Sequence, residues 1–364
     1  MKRVVAVGEI MARFSSPGYL RLSQCMPGKL EVLFAGAEAS VAMSIAYLGG
    51  AASFVTALPE HAIADACVQS LRAVGVEVGG IVRSDRGRLG LYFLEAGVNQ
   101  RPAQVIYDRE GASFAITSPE AYDWEAIYSD ADWLVISGIT PAISAIGYEV
   151  AQVAIAEAVR RGVRVLFDFN YRAKLWRWDP SQSPRDLAIR TIRELLPSMS
   201  LFVGGADELA ELLGAASPEI ASGDPRGDFL RLARGLVARY PQVEYVASTA
   251  RKSRSASHHQ LGGMLYDVRS DALHLAPLDQ VAVAPWGAAY EIDQMVDRIG
   301  TGDAFTAGLL FALRTPGWSE PARAIAFATA AFCLSHSVHG DFHCSTRAEI
   351  EALVAGDSSG RVQR

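Results

Sequence analysis

A tight glycine turn that leads into an acidic residue is the stretch of this sequence with the clearest chemistry. Residues 300–303 read Gly-Thr-Gly-Asp, and the small and apolar residues that follow, through position 313, predict a helix. Glycine has no Cβ, so the backbone of such a turn can approach a ligand closely. At a helix N-terminus, free N–H groups and the positive end of the helix dipole bind anions. We therefore predict that Gly300, Thr301 and Gly302 form an anion hole.

Asp303 must have a different role, because a carboxylate repels a phosphate group. It is well placed to take the proton of a hydroxyl group that attacks phosphorus. The alternative is structural, since aspartate commonly caps a helix after a tight turn. The sequence has no Gly-x-x-x-x-Gly-Lys-Ser/Thr motif, which excludes a P-loop, and no Gly-x-Gly-x-x-Gly turn after its first strand. Phosphate binding then falls to the amides of residues 300–302.

Two segments in the expected order resemble one enzyme family. Residues 297–308, Asp-Arg-Ile-Gly-Thr-Gly-Asp-Ala-Phe-Thr-Ala-Gly, resemble the C-terminal signature of the PfkB/ribokinase carbohydrate kinases. Residues 34–42, Phe-Ala-Gly-Ala-Glu-Ala-Ser-Val-Ala, are similar to an N-terminal segment of that family. Residues 167–176 and the C-terminal tail are similar to members that phosphorylate 2-keto-3-deoxygluconate. The resemblance covers essentially the whole chain and implies that Asp303 is the catalytic base, with ATP as the phosphoryl donor.

The same resemblance implies which residues bind the sugar. These residues are Gly36, Ser40, Tyr92, Tyr107, Arg109, Arg172 and Asp303. Arg172 could hold a carboxylate with two parallel hydrogen bonds, and its structural alternative is pairing with Asp168. For Tyr92, packing and recognition are equally good explanations. Two arginines favour an acid substrate, since a neutral sugar offers them no anion. Ser40 stands where the family usually has asparagine, and this leaves the identity of the sugar open.

The nucleotide side is implied in the same way. The residues that the resemblance assigns to ATP are Ser248, Thr249, Arg251, Gly302 and His336. Glu208 is implied to organise Mg²⁺ through water, although an acid favoured by a helix dipole is an alternative. The need for a monovalent cation is left open. A zinc site among the histidines and the cysteine of residues 336–344 is disfavoured, because their spacing fits no standard pattern.

The predicted activity is therefore ATP-dependent phosphorylation of a sugar-acid hydroxyl, with 2-keto-3-deoxygluconate converted to its 6-phosphate. One alternative is a kinase of the same family that acts on fructose, a nucleoside or 5-dehydro-2-deoxygluconate. Another is a sensor without catalysis that binds sugar or nucleotide on the same fold. Retention of Asp303 argues against the sensor.

The pattern along the chain predicts an α/β fold. Apolar runs predict strands at residues 4–7, 52–57, 133–137, 163–167, 201–203 and 243–247. Helical patterns occupy residues 38–48, 63–74, 143–160, 229–240, 303–314, 321–335 and 346–354. Such alternation indicates a mostly parallel sheet with helices on both faces. Strand-like segments without helices near residues 11–35 and 88–112 resemble the small β-sheet lid of the ribokinase-like fold. We expect one domain over residues 1–358 and a loose tail at 359–364.

Composition limits the possible surroundings and partners. The net charge is −6, so the chain lacks the basic footprint of a nucleic-acid binder. No apolar run approaches the roughly 18 residues of a membrane helix. The N-terminus has no signal-peptide core. The four cysteines have no paired spacing, which favours reduced thiols and a cytoplasmic protein that does not bind membranes. The edges of the lid strands predict a homodimer.

Overall fold

The computed structural model describes residues 2–214, 223–278 and 283–357. The predicted tail at 359–364 lies outside these ranges. The strands of the described residues are β1 (Arg3–Val7), β2 (Met11–Ser15), β3 (Glu31–Ala35), β4 (Ala52–Pro59), β5 (Ile81–Ser84), β6 (Gly90–Glu95), β7 (Gln104–Asp108), β8 (Ala131–Ser137), β9 (Arg164–Asp168), β10 (Leu201–Val203), β11 (Tyr245–Ser253), β12 (His259–Asp267), β13 (Ala272–Ala276) and β14 (Tyr290–Ile292).

Several helices connect consecutive strands along the chain, and the last three follow β14. In the described residues they are α1 (Leu22–Cys25), α2 (Ala37–Tyr47), α3 (Ala62–Ala73), α4 (Ser113–Ile116), α5 (Trp124–Tyr128), α6 (Ala145–Arg160), α7 (Pro184–Leu195), α8 (Ala206–Leu213), α9 (Pro225–Arg239), α10 (Thr301–Leu313), α11 (Pro321–Ser335) and α12 (Arg347–Val354). Short 3-10 turns at Pro119–Ala121, Thr140–Ala142 and Leu196–Ser198 complete the described helical segments.

The large sheet is parallel over most of its width. Its order is β13-β12-β11-β10-β9-β8-β1-β4-β5, and β14 also pairs with β12. The strands from β11 to β5 are parallel, whereas β12 runs antiparallel to β11, β13 and β14. The carboxyl ends of the parallel strands meet at one edge, which is where open α/β sheets bind ligands.

Hydrophobic cores cover both faces of this sheet. In β1, Val4 and Ala6 point into one core, and Val5 and Val7 point into the other. The first core includes residues of α2, α3, α10, α11 and α12, and the second includes residues of α4 to α9. This arrangement explains why the strand is apolar without alternation. The prediction of a mostly parallel sheet between two helical layers is confirmed.

A separate sheet of four strands has the order β3-β2-β6-β7. Its inner face carries Met11, Tyr92 and Leu94, which cluster with Ile299 beside the glycine turn. Its outer face carries an apolar row, in which Phe14 stacks on Phe93 with ring centroids 5.3 Å apart. These strands fall within the two segments that were predicted to form a small sheet, so the small sheet is also confirmed. It is called the small sheet below.

The tip of the small sheet reaches the tip of another hairpin. The amide of Ala256, between β11 and β12, donates to the carbonyl oxygen of Asn99 at 2.6 Å. In return, the amide of Asn99 donates to the Ser257 hydroxyl at 3.1 Å. The two sheets are thus joined at a point far from the polypeptide that connects them.

Several predicted boundaries differ from the structure. The strand predicted at residues 243–247 extends to Ser253 in β11, because β12 pairs with β11 in register from Ser248 to Ser253. The helix that follows the glycine turn begins at Thr301 rather than at Asp303. Within the predicted lid segment, residues 22–25 form the short helix α1. Strands β12 to β14 were not predicted.

Candidate active site

The glycine turn and the first turn of α10 have the geometry of an anion site. Gly300 precedes the helix with φ 76°, in the left-handed region that favours glycine. A Cβ on Gly300 would lie 1.7 Å from the carbonyl oxygen of Asp341, whereas a Cβ on Gly302 would meet nothing within 4 Å. Gly302 is exposed. The backbone amides at the start of α10 are therefore open on the side of Gly302.

Asp297 fixes this turn. Its Oδ1 accepts hydrogen bonds from the amides of Arg298 at 2.7 Å and Ile299 at 3.1 Å. Its Oδ2 accepts from the amide of Gly340 at 3.3 Å. The Thr301 hydroxyl donates to the carbonyl oxygen of Arg298 at 3.1 Å. The turn is consequently held by hydrogen bonds to the side chains of Asp297 and Thr301.

Asp303 lies in the first turn of α10 and is 9% exposed. Burial raises the pKa of its carboxyl well above the ordinary value, and the charge of Asp168 adds to this effect. Burial also raises the pKa of Asp168 to about 7, at the carboxyl end of β9. Arg172 opposes both pKa shifts. Two acids and one guanidinium therefore lie within electrostatic range of one another, an arrangement suited to proton transfer.

Arg172 is exposed, and its guanidinium donates to the carbonyl oxygen of Tyr171 at 3.3 Å. In the described part of the chain it forms no ion pair, so direct pairing with Asp168 is not what holds it. Its positive charge faces Asp168 and Asp303 only at longer range. The charge of Arg172 is accordingly available to a bound anion.

Arg251 lies on the other side of the glycine turn. Its guanidinium donates to the Thr301 hydroxyl at 3.1 Å and lies 3.4 Å from Nε2 of His336. Burial, with repulsion from Arg298, lowers the pKa of Arg251 to about 10. Burial and Arg251 lower the pKa of His336 to about 3, so this ring is neutral near pH 7. No described carboxylate pairs with Arg251. A partly buried cation of this kind is suited to a phosphate.

His336 itself has no exposed surface. Its Nδ1 lies 2.7 Å from the carbonyl oxygen of Phe332, and it supports Arg251 rather than facing solvent. Ser248 and Thr249 lie within β11, opposite Met264 and Gly263 of β12. Ser248 is buried, and its hydroxyl donates to the carbonyl oxygen of Thr249 at 3.0 Å.

Arg109 is paired with a buried acid that the sequence reasoning missed. Its guanidinium contacts the carboxylate of Glu9, and the two side chains are 9% and 3% exposed. Burial raises the pKa of Glu9, while Arg109 opposes that shift. The guanidinium also lies 5.6 Å from the ring centre of Tyr107. Tyr107 and Arg109 border a cavity of about 740 Å³ together with Lys174. The charge of Arg109 is thus already balanced, unlike that of Arg172.

Tyr92 faces inward and is 4% exposed. Its hydroxyl donates to Oδ2 of Asp341 at 2.5 Å. Asp341 and Asp297 both pair with Arg13, whose side chain is 2% exposed. The hydroxyl of Tyr92 therefore belongs to a buried polar network.

Gly36 and Ser40 lie at the start of α2. Gly36 precedes the helix, and a Cβ there would lie 2.1 Å from the carbonyl oxygen of Glu9, so close packing of the backbone requires glycine. Ser40 is 1% exposed. Between them, buried Glu38 accepts hydrogen bonds from the Ser137 amide at 3.0 Å and hydroxyl at 2.7 Å, and from the Thr140 hydroxyl at 2.8 Å. Glu38 joins the start of α2 to the end of β8.

Glu208 lies in the first turn of α8. Its Oε2 accepts a hydrogen bond from the amide of Gly205 at 2.9 Å. Its charge contributes to the raised pKa of Asp168, so the two carboxylates lie within range of each other. No group of three or more His, Cys, Asp or Glu side chains in the described ranges is arranged to hold a metal ion. The four cysteines are free. None of the described helices is both long and apolar enough to cross a bilayer.

Comparison with known proteins decides the family. Residues 1–241 match the pfkB family carbohydrate kinase profile. A 2-dehydro-3-deoxygalactonokinase of Haloferax volcanii is 32% identical over 360 residues, which cover 98% of each chain. The chain belongs to the pfkB family of carbohydrate kinases.

Solved structures agree with this assignment. The crystal structure of a Thermotoga maritima 2-dehydro-3-deoxygluconokinase is similar to the kinase with a TM-score of 0.86 and 32% identity, covering 98% of this chain and 100% of the other. A more distant E. coli protein in complex with ATP and Mg²⁺ gives a TM-score of 0.74 at 19% identity, over 98% and 100% of the two chains. The predicted ribokinase-like fold and the predicted class of enzyme, a carbohydrate kinase, are confirmed.

The kinase also has site residues that sequence reasoning did not find. Glu9, Glu38, Arg13 and Asp341 are charged yet buried. Each lay inside or beside a segment that was recognised for other reasons. The available signal was an acid or a base within an otherwise apolar stretch, since a buried charge requires a partner. The partner itself could not be read from the sequence.

Proposed function

We propose that this kinase transfers the γ-phosphoryl group of ATP to the terminal hydroxyl of 2-keto-3-deoxygluconate, also named 2-dehydro-3-deoxygluconate. The observation that carries the proposal is the position of Asp303, buried in the first turn of α10 between the open amides of the glycine turn and the unpaired charge of Arg172. The kinship with sugar-acid kinases over nearly the whole chain supports it.

In the proposed reaction, Asp303 accepts the proton of the sugar hydroxyl as the oxygen forms its bond to the γ-phosphorus. The bond between that phosphorus and the bridging oxygen breaks, and its electron pair leaves with ADP. The amides of Thr301 and Gly302 and the guanidinium of Arg251 stabilise the negative charge of the transferred group. The raised pKa of Asp303 makes its carboxylate a better proton acceptor than an ordinary aspartate.

Oxygen donors suited to Mg²⁺ lie on the strand-end side of the site. The carboxylates of Asp168 and Glu208 are within electrostatic range of each other, and Mg²⁺ prefers such ligands, often through water. We propose that Glu208, with Asp168 nearby, holds Mg²⁺ in this way. When bound, Mg²⁺ neutralises phosphate charge. Assays with and without added K⁺ decide whether a monovalent cation is also needed.

The preference for an acid sugar rests on Arg172. Its charge has no ion-pair partner among the described residues, whereas Arg109 is balanced by Glu9. We therefore assign the substrate carboxylate chiefly to Arg172. Gly36, Ser40, Tyr92 and Tyr107 complete the proposed sugar side. The Haloferax volcanii relative is named for the galactonate epimer, so 2-keto-3-deoxygalactonate is the second candidate substrate.

The test is an ATP-consumption assay with both epimeric acids, 5-dehydro-2-deoxygluconate, fructose and a nucleoside. We expect the two 2-keto-3-deoxy acids to be phosphorylated with the highest kcat/KM. A wild type that prefers a neutral sugar would refute the acid assignment. A protein that binds these ligands but consumes no ATP would be a sensor.

A conservative substitution then tests the carboxylate contact. Arg172→Lys keeps the charge but lacks the planar fork. A hydrogen bond to a charged group contributes roughly 1.5–3 kcal/mol, so KM for the acid should rise about 10- to 150-fold. KM for ATP should stay within twofold. Arg160→Lys, on the exposed side of α6, is the matched control and should leave both constants unchanged. An equal loss with fructose would contradict the contact.

We further propose that residues 1–358 form one domain in which the small sheet acts as a lid over the sugar. A lid of this kind would exclude water as a competing acceptor. We also propose a cytoplasmic location and a homodimer, without nucleic-acid or membrane partners.

A further inference from the structure

Arg13 is among the largest fully buried side chains of the described residues. It belongs to β2 of the small sheet, and its Nε donates to the Ser15 hydroxyl at 2.8 Å. Its two terminal nitrogens contact different carboxylates, those of Asp297 and Asp341. Removing a guanidinium from water is costly unless it is paired and hydrogen-bonded. Here each of the three guanidinium nitrogens donates a hydrogen bond.

Both acidic partners of Arg13 also hold the anion hole. Asp297 accepts the amides of Arg298 and Ile299, which lead directly into Gly300. The backbone of Asp341 packs against Gly300, where only glycine fits. Arg13 therefore reaches the turn through Asp297 on one side and through Asp341 on the other. Arg13 itself belongs to β2 of the small sheet.

Removing the guanidinium would leave two buried carboxylates facing each other. Their repulsion, and the loss of their common donor, would separate Asp297 from Asp341. Asp297 accepts hydrogen bonds from the turn amides, and the backbone of Asp341 packs against Gly300. Separation of the two acids would therefore change the direction in which these amides point. A misplacement of about 1 Å can cost about 100-fold in rate.

We propose that Arg13 is a positioning residue that aligns the anion hole for the phosphates of the nucleotide. This deepens the proposed kinase function and rests on it. The main effects of the loss of Arg13 should fall on nucleotide affinity and kcat, because Asp297 and Asp341 both contact the turn, whereas the sugar side is reached only through Tyr92, whose hydroxyl donates to Asp341.

Arg314 provides a matched control for this role. Its side chain is 4% exposed, and its guanidinium pairs with both carboxylate oxygens of Asp132. It caps the far end of α10, whose thirteen residues span about 20 Å at about 1.5 Å per residue. Arg314→Met thus removes a buried guanidinium from an ion pair whose acid, Asp132, is 29% exposed, without touching the glycine turn.

The experiment compares Arg13→Met and Arg314→Met with the wild type. Isothermal titration measures affinity for ADP with Mg²⁺, kinetics give kcat and both KM values, and urea unfolding gives stability. We expect Arg13→Met to weaken ADP binding and to lower kcat about 10- to 100-fold, with KM for the sugar acid within threefold. Arg314→Met should lose stability but keep ADP affinity and kcat within twofold. Millimolar guanidinium chloride should partly restore Arg13→Ala and not Asp303→Asn.

Unchanged ADP affinity and kcat in Arg13→Met would overturn the proposal, as would an equal loss in Arg314→Met. Arg13→Lys is the second variant, since lysine keeps the charge but lacks the planar fork that spans both carboxylates and Ser15, and it should retain part of the function. If neither variant at position 13 folds, the role is purely structural and the proposal fails. If the wild type binds ADP but phosphorylates no sugar acid, only the proposed substrate fails, because the titration still tests the alignment.

Discussion

At the scale of single residues, Asp303 combines two opposing influences. Burial and Asp168 disfavour its ionised form, and Arg172 favours it. A base held in this way is a strong proton acceptor once the sugar hydroxyl is in place. The same surroundings make its charge costly to the fold at neutral pH.

The first prediction is that Asp303→Asn abolishes turnover while the protein stays folded. A positioned base contributes about 10²- to 10⁴-fold, so kcat should fall at least 100-fold. ADP affinity should change little, and stability at pH 7 should rise, because asparagine carries no buried charge. Steady-state kinetics and urea unfolding check both. Asp65→Asn is the control, since Asp65 is an exposed side chain on α3. A mutant that keeps a tenth of wild-type kcat would remove Asp303 from the base role.

The second prediction concerns pH and Asp168. Its folded pKa of about 7 exceeds the ordinary 3.8, so the folded state binds this proton more tightly than the unfolded state. Stability therefore falls as pH rises from about 4 to about 7. Asp168→Asn should remove this contribution. Between pH 5 and pH 8 the wild type should lose about 3 kcal/mol more than the mutant, at about 1.4 kcal/mol per pKa unit. Equal pH slopes in urea unfolding would contradict the shift.

At the scale of elements, the start of α10 depends on two glycines with different roles. Gly300 has positive φ and packs against Asp341, whereas Gly302 has open space beside it. The sequence pattern could not tell them apart, since both are glycines of one short turn. The positive φ of the turn lies at Gly300, the first of the two.

The third prediction follows from this difference. Gly300→Ala should destabilise the protein by about 1–3 kcal/mol or more and should abolish nucleotide binding, because alanine is strained at φ 76° and clashes with Asp341. Gly302→Ala should keep the stability, since alanine favours a helix, but should raise KM for ATP where the methyl group meets the phosphate. Calorimetry and thermal unfolding distinguish the two. Equal effects in both variants would refute the separate roles.

Strands and helices with a strong local sequence pattern could be predicted. Strands whose position depends on pairing with another strand could not. Apolar runs marked β1, β4, β8, β9 and β10, and α11 begins and ends where its pattern does. Strand β12 combines buried polar residues, His259 and Gln260, with two adjacent glycines, so its apolar run is short and interrupted. Its position follows from pairing with β11, which a single sequence does not record.

At the scale of the whole molecule, the site depends on contacts between distant parts of the sequence. Arg13 and Asp341 are separated by 328 positions, and Arg109 and Glu9 by 100. Motifs located Asp303 and the glycine turn because those functions reside in contiguous residues. The counter-charges could not be located in that way, since only the fold brings them together.

The fourth prediction is that the outer face of the small sheet forms a homodimer. This face carries Val32 and Ile106, which are 50% and 53% exposed, beside Phe14 and Phe93. An apolar sheet face of this kind is suited to a second copy. Replacing both Val32 and Ile106 by Asp should convert the dimer to a monomer in light scattering. Ile63→Asp, an equally exposed change on α3, should not. A monomeric wild type would contradict the prediction.

The bridge between Asn99 and the hairpin of Ala256 has a consequence for how this kinase can be studied. The 2.6 Å contact joins a backbone amide to a backbone carbonyl, so the bond itself uses no side chain. Alanine scanning would therefore test the left-handed backbone of Asn99, whose φ is 51°, and not the bond. The contact would instead be visible as slow deuterium uptake at the Ala256 amide, and its rate of uptake would show how often the two sheets separate.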